Sequence, residues 1–169
     1  FETWKSYLDA FGFGQVTGID LPNERSGQNP YLWDLQKVNT AFGQGITVTP
    51  IQMLQAFTAI SNQGRMVKPN IIKDIDQEGE EDQSELEAEN QEGQVVGQPI
   101  SQETAQKTLD YLRMGVESDI GTTNGYQIEG VPVAAKTGTA QIVNPETGQY
   151  YSSNGDYIYS VVTLSLIHI

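Results

Sequence analysis

Residues 131–143 read VPVAAKTGTAQIV and set a single cation in a run of small and β-branched residues. Lys136 is the last lysine or arginine of the chain, and the nearest carboxylates in sequence, Glu129 and Glu146, stand outside the run. The cation therefore needs a partner from elsewhere. Val131, Val133, Ile142 and Val143 favour a strand. Lys136, Thr137, Gly138 and Thr139 add a positive charge, two hydroxyls and a residue with no side chain, so that a ligand could lie close against the backbone. Such a strand is a good receptor for a carboxylate: the lysine attracts it, and hydroxyls and backbone N–H groups hydrogen-bond it. A phosphate loop is the competing assignment, because Lys-Thr also closes the Walker pattern. That pattern needs glycine directly before the lysine at a helix start, and here Ala135 stands there on a strand.

Working outward, residues 144–155 (NPETGQYYSSNG) are rich in turn formers, and residues 156–164 alternate well enough for a second strand; the two strands predict an antiparallel hairpin. Upstream, the glycines and Asn-Gly pair of DIGTTNGYQIEG mark a loop. Before it, Ser101 is placed to cap a helix whose core face is Ala105, Leu109, Leu112 and Val116. Residues 74–98 are read as an acidic insertion without stable structure, with order resuming near Pro99. From Asp74 to Gln94 there are ten acidic residues and no basic one, which is too polar a composition to offset the entropy of ordering. A docking role for a basic partner is the functional alternative for that segment. Residues from Met66 alternate like a strand. Thr49, Pro50 and Gln52 match the cap, first position and reciprocal capping residue of a further helix, with Ile51, Leu54, Phe57 and Ile60 on its core face and Gly64 as its stop. Gly43-Gln44-Gly45 is a tight turn before it. At the start, Phe1, Trp4, Leu8 and Phe11 predict a helix of about ten residues ended by Gly12 in a left-handed cap. The glycines of FGFGQVTGID miss the dinucleotide fingerprint by one residue and follow no strand, so they read as a turn into a short strand; PNERSGQNP is a surface loop.

Composition narrows the chemistry. The 169 residues, 37% hydrophobic, suffice for a domain with a core. The formal charge of −13 argues against nucleic-acid binding, and the acidic insertion carries most of it, leaving −3 for the rest. The absence of cysteine removes disulfides and thiolate sites, and with only His168 a Ser-His-Asp triad is hard to build, so nucleophilic catalysis would use Lys, Asp, Glu or Tyr as base.

Lys136-Thr137-Gly138 resembles the Lys-Thr-Gly motif of penicillin-binding proteins and class A β-lactamases. FGFGQVTGIDLP, AFGQGITVTPIQMLQAFTAISNQG and KTGTAQIV are similar, in order, to blocks of class B penicillin-binding proteins, with greatest likeness to division-type enzymes of Gram-positive cocci. The resemblance covers most of residues 1–163, apart from the acidic insertion. It implies an α+β fold of the penicillin-binding protein/serine β-lactamase type, an antiparallel sheet with flanking helices, here incomplete. It further implies a D,D-transpeptidase that cross-links peptidoglycan stem peptides ending in D-Ala-D-Ala, binds β-lactams, requires no cofactor and acts outside the plasma membrane under an N-terminal anchor, alongside division proteins. Lys136 would polarise the site's second serine, Thr137 and Thr139 would bind the carboxylate, Gly138 would keep the strand clear, and the Thr139 N–H would form half of the oxyanion hole. A β-lactam sensor of the same fold is the alternative. The family's Ser-x-x-Lys and Ser-x-Asn are both missing from residues 1–135, so this chain alone is expected to be inactive. Residues 164–169, LSLIHI, match the translation of a transposon end used in sequencing-library preparation and are expected to be a non-native tail, His168 included.

Overall fold

The computed structural model describes residues 1–71, 93–151 and 157–165. These described residues form two compact units, one drawn from residues 1–31 and 46–105, the other from residues 32–45 and 106–165. No helix among the described residues is long and apolar enough to cross a membrane.

In the first unit, α1 (Glu2–Ala10) buries Leu8. Gly12 at φ +78° ends it as the spacing predicts, with the N–H groups of Gly12 and Phe13 donating to the carbonyls of Asp9 and Leu8. The short strand expected next is absent. Residues 17 and 18 are held instead by the carboxylate of Glu24, which accepts from the Thr17 N–H and hydroxyl, both at 2.6 Å, and from the Gly18 N–H at 3.0 Å. Burial works against ionisation of Glu24, but these Thr17 and Gly18 hydrogen bonds and the charge of Lys68 outweigh it and lower its pKa.

The helix Pro50–Ser61 has the predicted capping box between Thr49 and Gln52. Its expected core face is corrected. Leu54 is 56% exposed, Ile51, Phe57 and Ile60 are half-buried, and the buried positions are Gln52, Gln55, Ala56 and Ala59. The reason is hydrogen bonding. Gln52 Nε2 donates to the carbonyls of Gln15 at 2.5 Å and Ser26 at 2.6 Å while its Oε1 accepts from the Thr49 N–H, and Gln55 Nε2 reaches the Thr17 carbonyl. A loop with no strand of its own needs partners for its backbone, and the two glutamines supply them.

Strand β1 (Met66–Val67) pairs antiparallel with β2 (Val95–Gly97). The order expected from Pro99 therefore begins earlier, inside the segment assigned to the insertion. The backbone of β1 offers partners to a Val-Val-Gly stretch whose own composition is no longer acidic. The rest of that assignment, residues 74–92, lies outside the described residues.

In the second unit, α2 (Asp34–Thr40) has no counterpart in the apolar periodicity. It is started by Gln36, whose Oε1 accepts from the N–H groups of Leu32 and Trp33, and it runs into the expected Gly43-Gln44-Gly45 turn. The helix Pro50–Ser61 is α3 in chain order, and α4 spans Gln102–Glu117, its first turn belonging to the first unit. Ser101 Oγ accepts from the Thr104 N–H as predicted, and Ala105, Leu109 and Val116 are buried. Past its end, Gln127 Nε2 and Asn124 Nδ2 both donate to the Val116 carbonyl, which would otherwise be orphaned at a helix terminus. A turn closed by the Val131 N–H on the Ile128 carbonyl then delivers β3 (Val133–Gln141), which pairs antiparallel with β4 (Tyr157–Ser165). Val133 and Ala135 pack on Val116 and Val131 as the core of this unit. Leu164 and Ser165, the first two residues of the expected non-native tail, continue β4 opposite Ala134 and Val133. Residues 166–169 lie outside the described residues.

Candidate active site

Strand β3 has two halves. Val133, Ala134 and Ala135 are buried, Ala134 completely, and anchor the strand; Lys136, Gly138 and Thr139 are exposed and Thr137 is half-buried. The apolar half fixes the position of the polar half.

The register places Lys136 opposite Val162, Thr137 opposite Val161, Gly138 opposite Ser160 and Thr139 opposite Tyr159. Successive side chains of a strand alternate between its faces. Lys136 and Gly138 therefore share one face with Ala134, and Thr137 and Thr139 share the other with Ala135. The four residues are brought together along one strand but not onto one surface. A single ligand meets both sets only along the strand's edge. Among the described residues β3 has a strand partner on one edge alone, so the other edge presents unpaired backbone groups.

No carboxylate pairs with Lys136 among the described residues. Its ammonium donates to the carbonyl of Thr137 at 2.6 Å, folded back on its own strand. One acceptor leaves an ammonium with further donors to place. A hollow lined by Val116, Glu117, Ile128, Gly130, Val131 and Val133 lies at the foot of the hairpin, and no residue from Lys136 to Thr139 lines it.

Gly138 has a neighbour across the sheet that spacing did not reveal. A Cβ built there would lie 2.7 Å from Ser160 Oγ, so the cross-strand serine already occupies the space that the glycine leaves. Ser160 was not among the residues that motif reading selects. Its position follows from the hairpin register, which depends on the length and folding of the loop between the strands.

The penicillin-binding protein transpeptidase domain model matches residues 1–164. Stage V sporulation protein D of Bacillus subtilis is 38% identical over 156 residues, 88% of this chain and 22% of its own length. Peptidoglycan D,D-transpeptidase FtsI of Escherichia coli is 28% identical over 158 residues, 92% of this chain and 24% of its own. Among solved structures, penicillin-binding protein 2X of Streptococcus thermophilus superposes with a TM-score of 0.80 at 30% identity, covering 96% of this chain and 24% of that one. Penicillin-binding protein 3 of Mycobacterium tuberculosis, solved in complex with ampicillin, gives 0.79 at 30% identity, covering 98% and 36%. The chain spans about a quarter of the length of the curated relatives it matches. The match across nearly all of its residues, on the α+β frame of helices and antiparallel strands described above, means that this chain belongs to the penicillin-binding protein transpeptidase domain family.

Proposed function

We propose that this chain supplies the Lys-Thr-Gly wall of a peptidoglycan D,D-transpeptidase whose nucleophilic serine lies outside residues 1–135. The observation that carries the reading is an exposed Lys136 that, among the described residues, has no carboxylate partner and stands on a buried-rooted strand with one open edge. A stem peptide ending in D-Ala-D-Ala adds along that edge as a further strand. The serine oxygen bonds to the penultimate carbonyl carbon, the amide C–N bond breaks, and D-Ala leaves with a proton. An amine from a neighbouring stem then takes the acyl group and frees the serine. Thr137 and Thr139 bind the terminal carboxylate, Lys136 polarises the second serine, and the Thr139 N–H stabilises the oxyanion where charge develops. β-Lactams acylate the same serine. The setting is the outer side of the plasma membrane, beside division proteins. This chain by itself is inactive, for want of the nucleophile. That the Escherichia coli relative is named a D,D-transpeptidase supports catalysis over a sensor role.

The test is labelling of the full native protein by a fluorescent penicillin. Lys136→Ala is expected to slow covalent labelling about 100-fold, the scale of losing one preorganised electrostatic group. Labelling at the unaltered rate overturns the assignment.

A further inference from the structure

Ser160 faces Gly138 directly and is exposed. It therefore stands diagonal to Lys136, two residues along the partner strand from Val162. Diagonal neighbours on one face lie within reach of a long side chain. The other hairpin residues of that face are Ala134, Ala140, Ile158, Val162 and Leu164, all apolar. Ser160 is thus the polar side chain that this face sets beside Lys136, and its Oγ lies over the strand in the space that a Cβ at residue 138 would need.

We propose that Ser160 is a positioning residue for Lys136: the ammonium, which in this structure donates to the Thr137 carbonyl, takes the hydroxyl seated over Gly138 as a second acceptor when the site binds a carboxylate ligand, and the hydroxyl then sets where the charge stands. The inference rests on the transpeptidase reading of Lys136. It also changes what Gly138 does, since the glycine makes room for a hydroxyl of its own sheet as well as for a substrate.

Threonine and valine have the same shape and both favour strands, so Ser160→Thr against Ser160→Val isolates the hydroxyl. The rate constant for acylation by a fluorescent penicillin is measured in the full native protein for both variants, each with Lys136 and with Lys136→Ala. Ser160→Thr is expected to react about tenfold faster than Ser160→Val when Lys136 is present, the scale of one hydrogen bond to a charged group, and at the same rate when it is absent. Equal rates for the two variants with Lys136 in place overturn the inference and leave the transpeptidase reading standing. A Thr-to-Val ratio that survives Lys136→Ala also overturns it, because the hydroxyl then acts on something else. A Lys136→Ala protein that labels like the unaltered one removes the reading on which the inference depends.

Discussion

Helices α3 and α4 each carry apolar residues at helical spacing, yet only α4 turns its predicted stripe inward. In α4, Leu109 and Val116 are buried, and Val116 packs on the apolar root of β3. In α3 the inward positions are two glutamines and two alanines, and Leu54 faces outward. The difference lies in what each helix meets. The root of β3 meets its helix with the side chains of Val133 and Ala135 and wants hydrocarbon, whereas an irregular loop brings unsatisfied carbonyls that cost more than apolar contact returns.

That contrast can be broken at α3 most severely. Gln52→Ala is expected to destabilise the protein by about 3 kcal/mol, because the carbonyls of Gln15 and Ser26 and the N–H of Thr49 lose their partner together; urea denaturation checks it. Val116→Ala, the matching lesion in α4, is expected to cost about 2 kcal/mol by the same assay, a cavity with no orphaned polar group. Ser101→Ala removes the cap of α4 at about 1 kcal/mol. A pH titration of stability sharpens the loop's part. The pKa of Glu24 is lowered in the fold, so its contribution is complete above the ordinary carboxylate range and fades as pH falls through the folded value; Glu24→Gln should flatten that acid-side decline. Smallest of all, Leu54→Gln should stay within about 0.5 kcal/mol of the unaltered protein, and a loss near that of Val116→Ala would show that the predicted apolar face is a core face after all.

Much of the strand that carries the candidate site was legible because its parts are close in sequence. Lys136, Thr137, Gly138 and Thr139 are consecutive, and the alternation before and after them foretold a hairpin. What spacing could not convey is that strand geometry divides the lysine from the threonines. Nor could it reveal Ser160, which lies 22 residues from Gly138 along the chain and directly across from it in the sheet. β2 escaped for a related reason: three residues become a strand only because β1 offers a partner.

The amino-acid sequence by itself determined the features that residues a few positions apart settle between themselves: the Thr49–Gln52 box, the Ser101 cap, the Gly12 terminus and the charge pattern around Lys136. Tertiary structure decided which face of α3 is buried and which serine stands over Gly138. Those outcomes rest on groups brought together from far along the chain, such as the Gln15 carbonyl 37 residues from Gln52. A buried polar group must be satisfied by whatever the fold sets beside it, and no local pattern specifies what that will be.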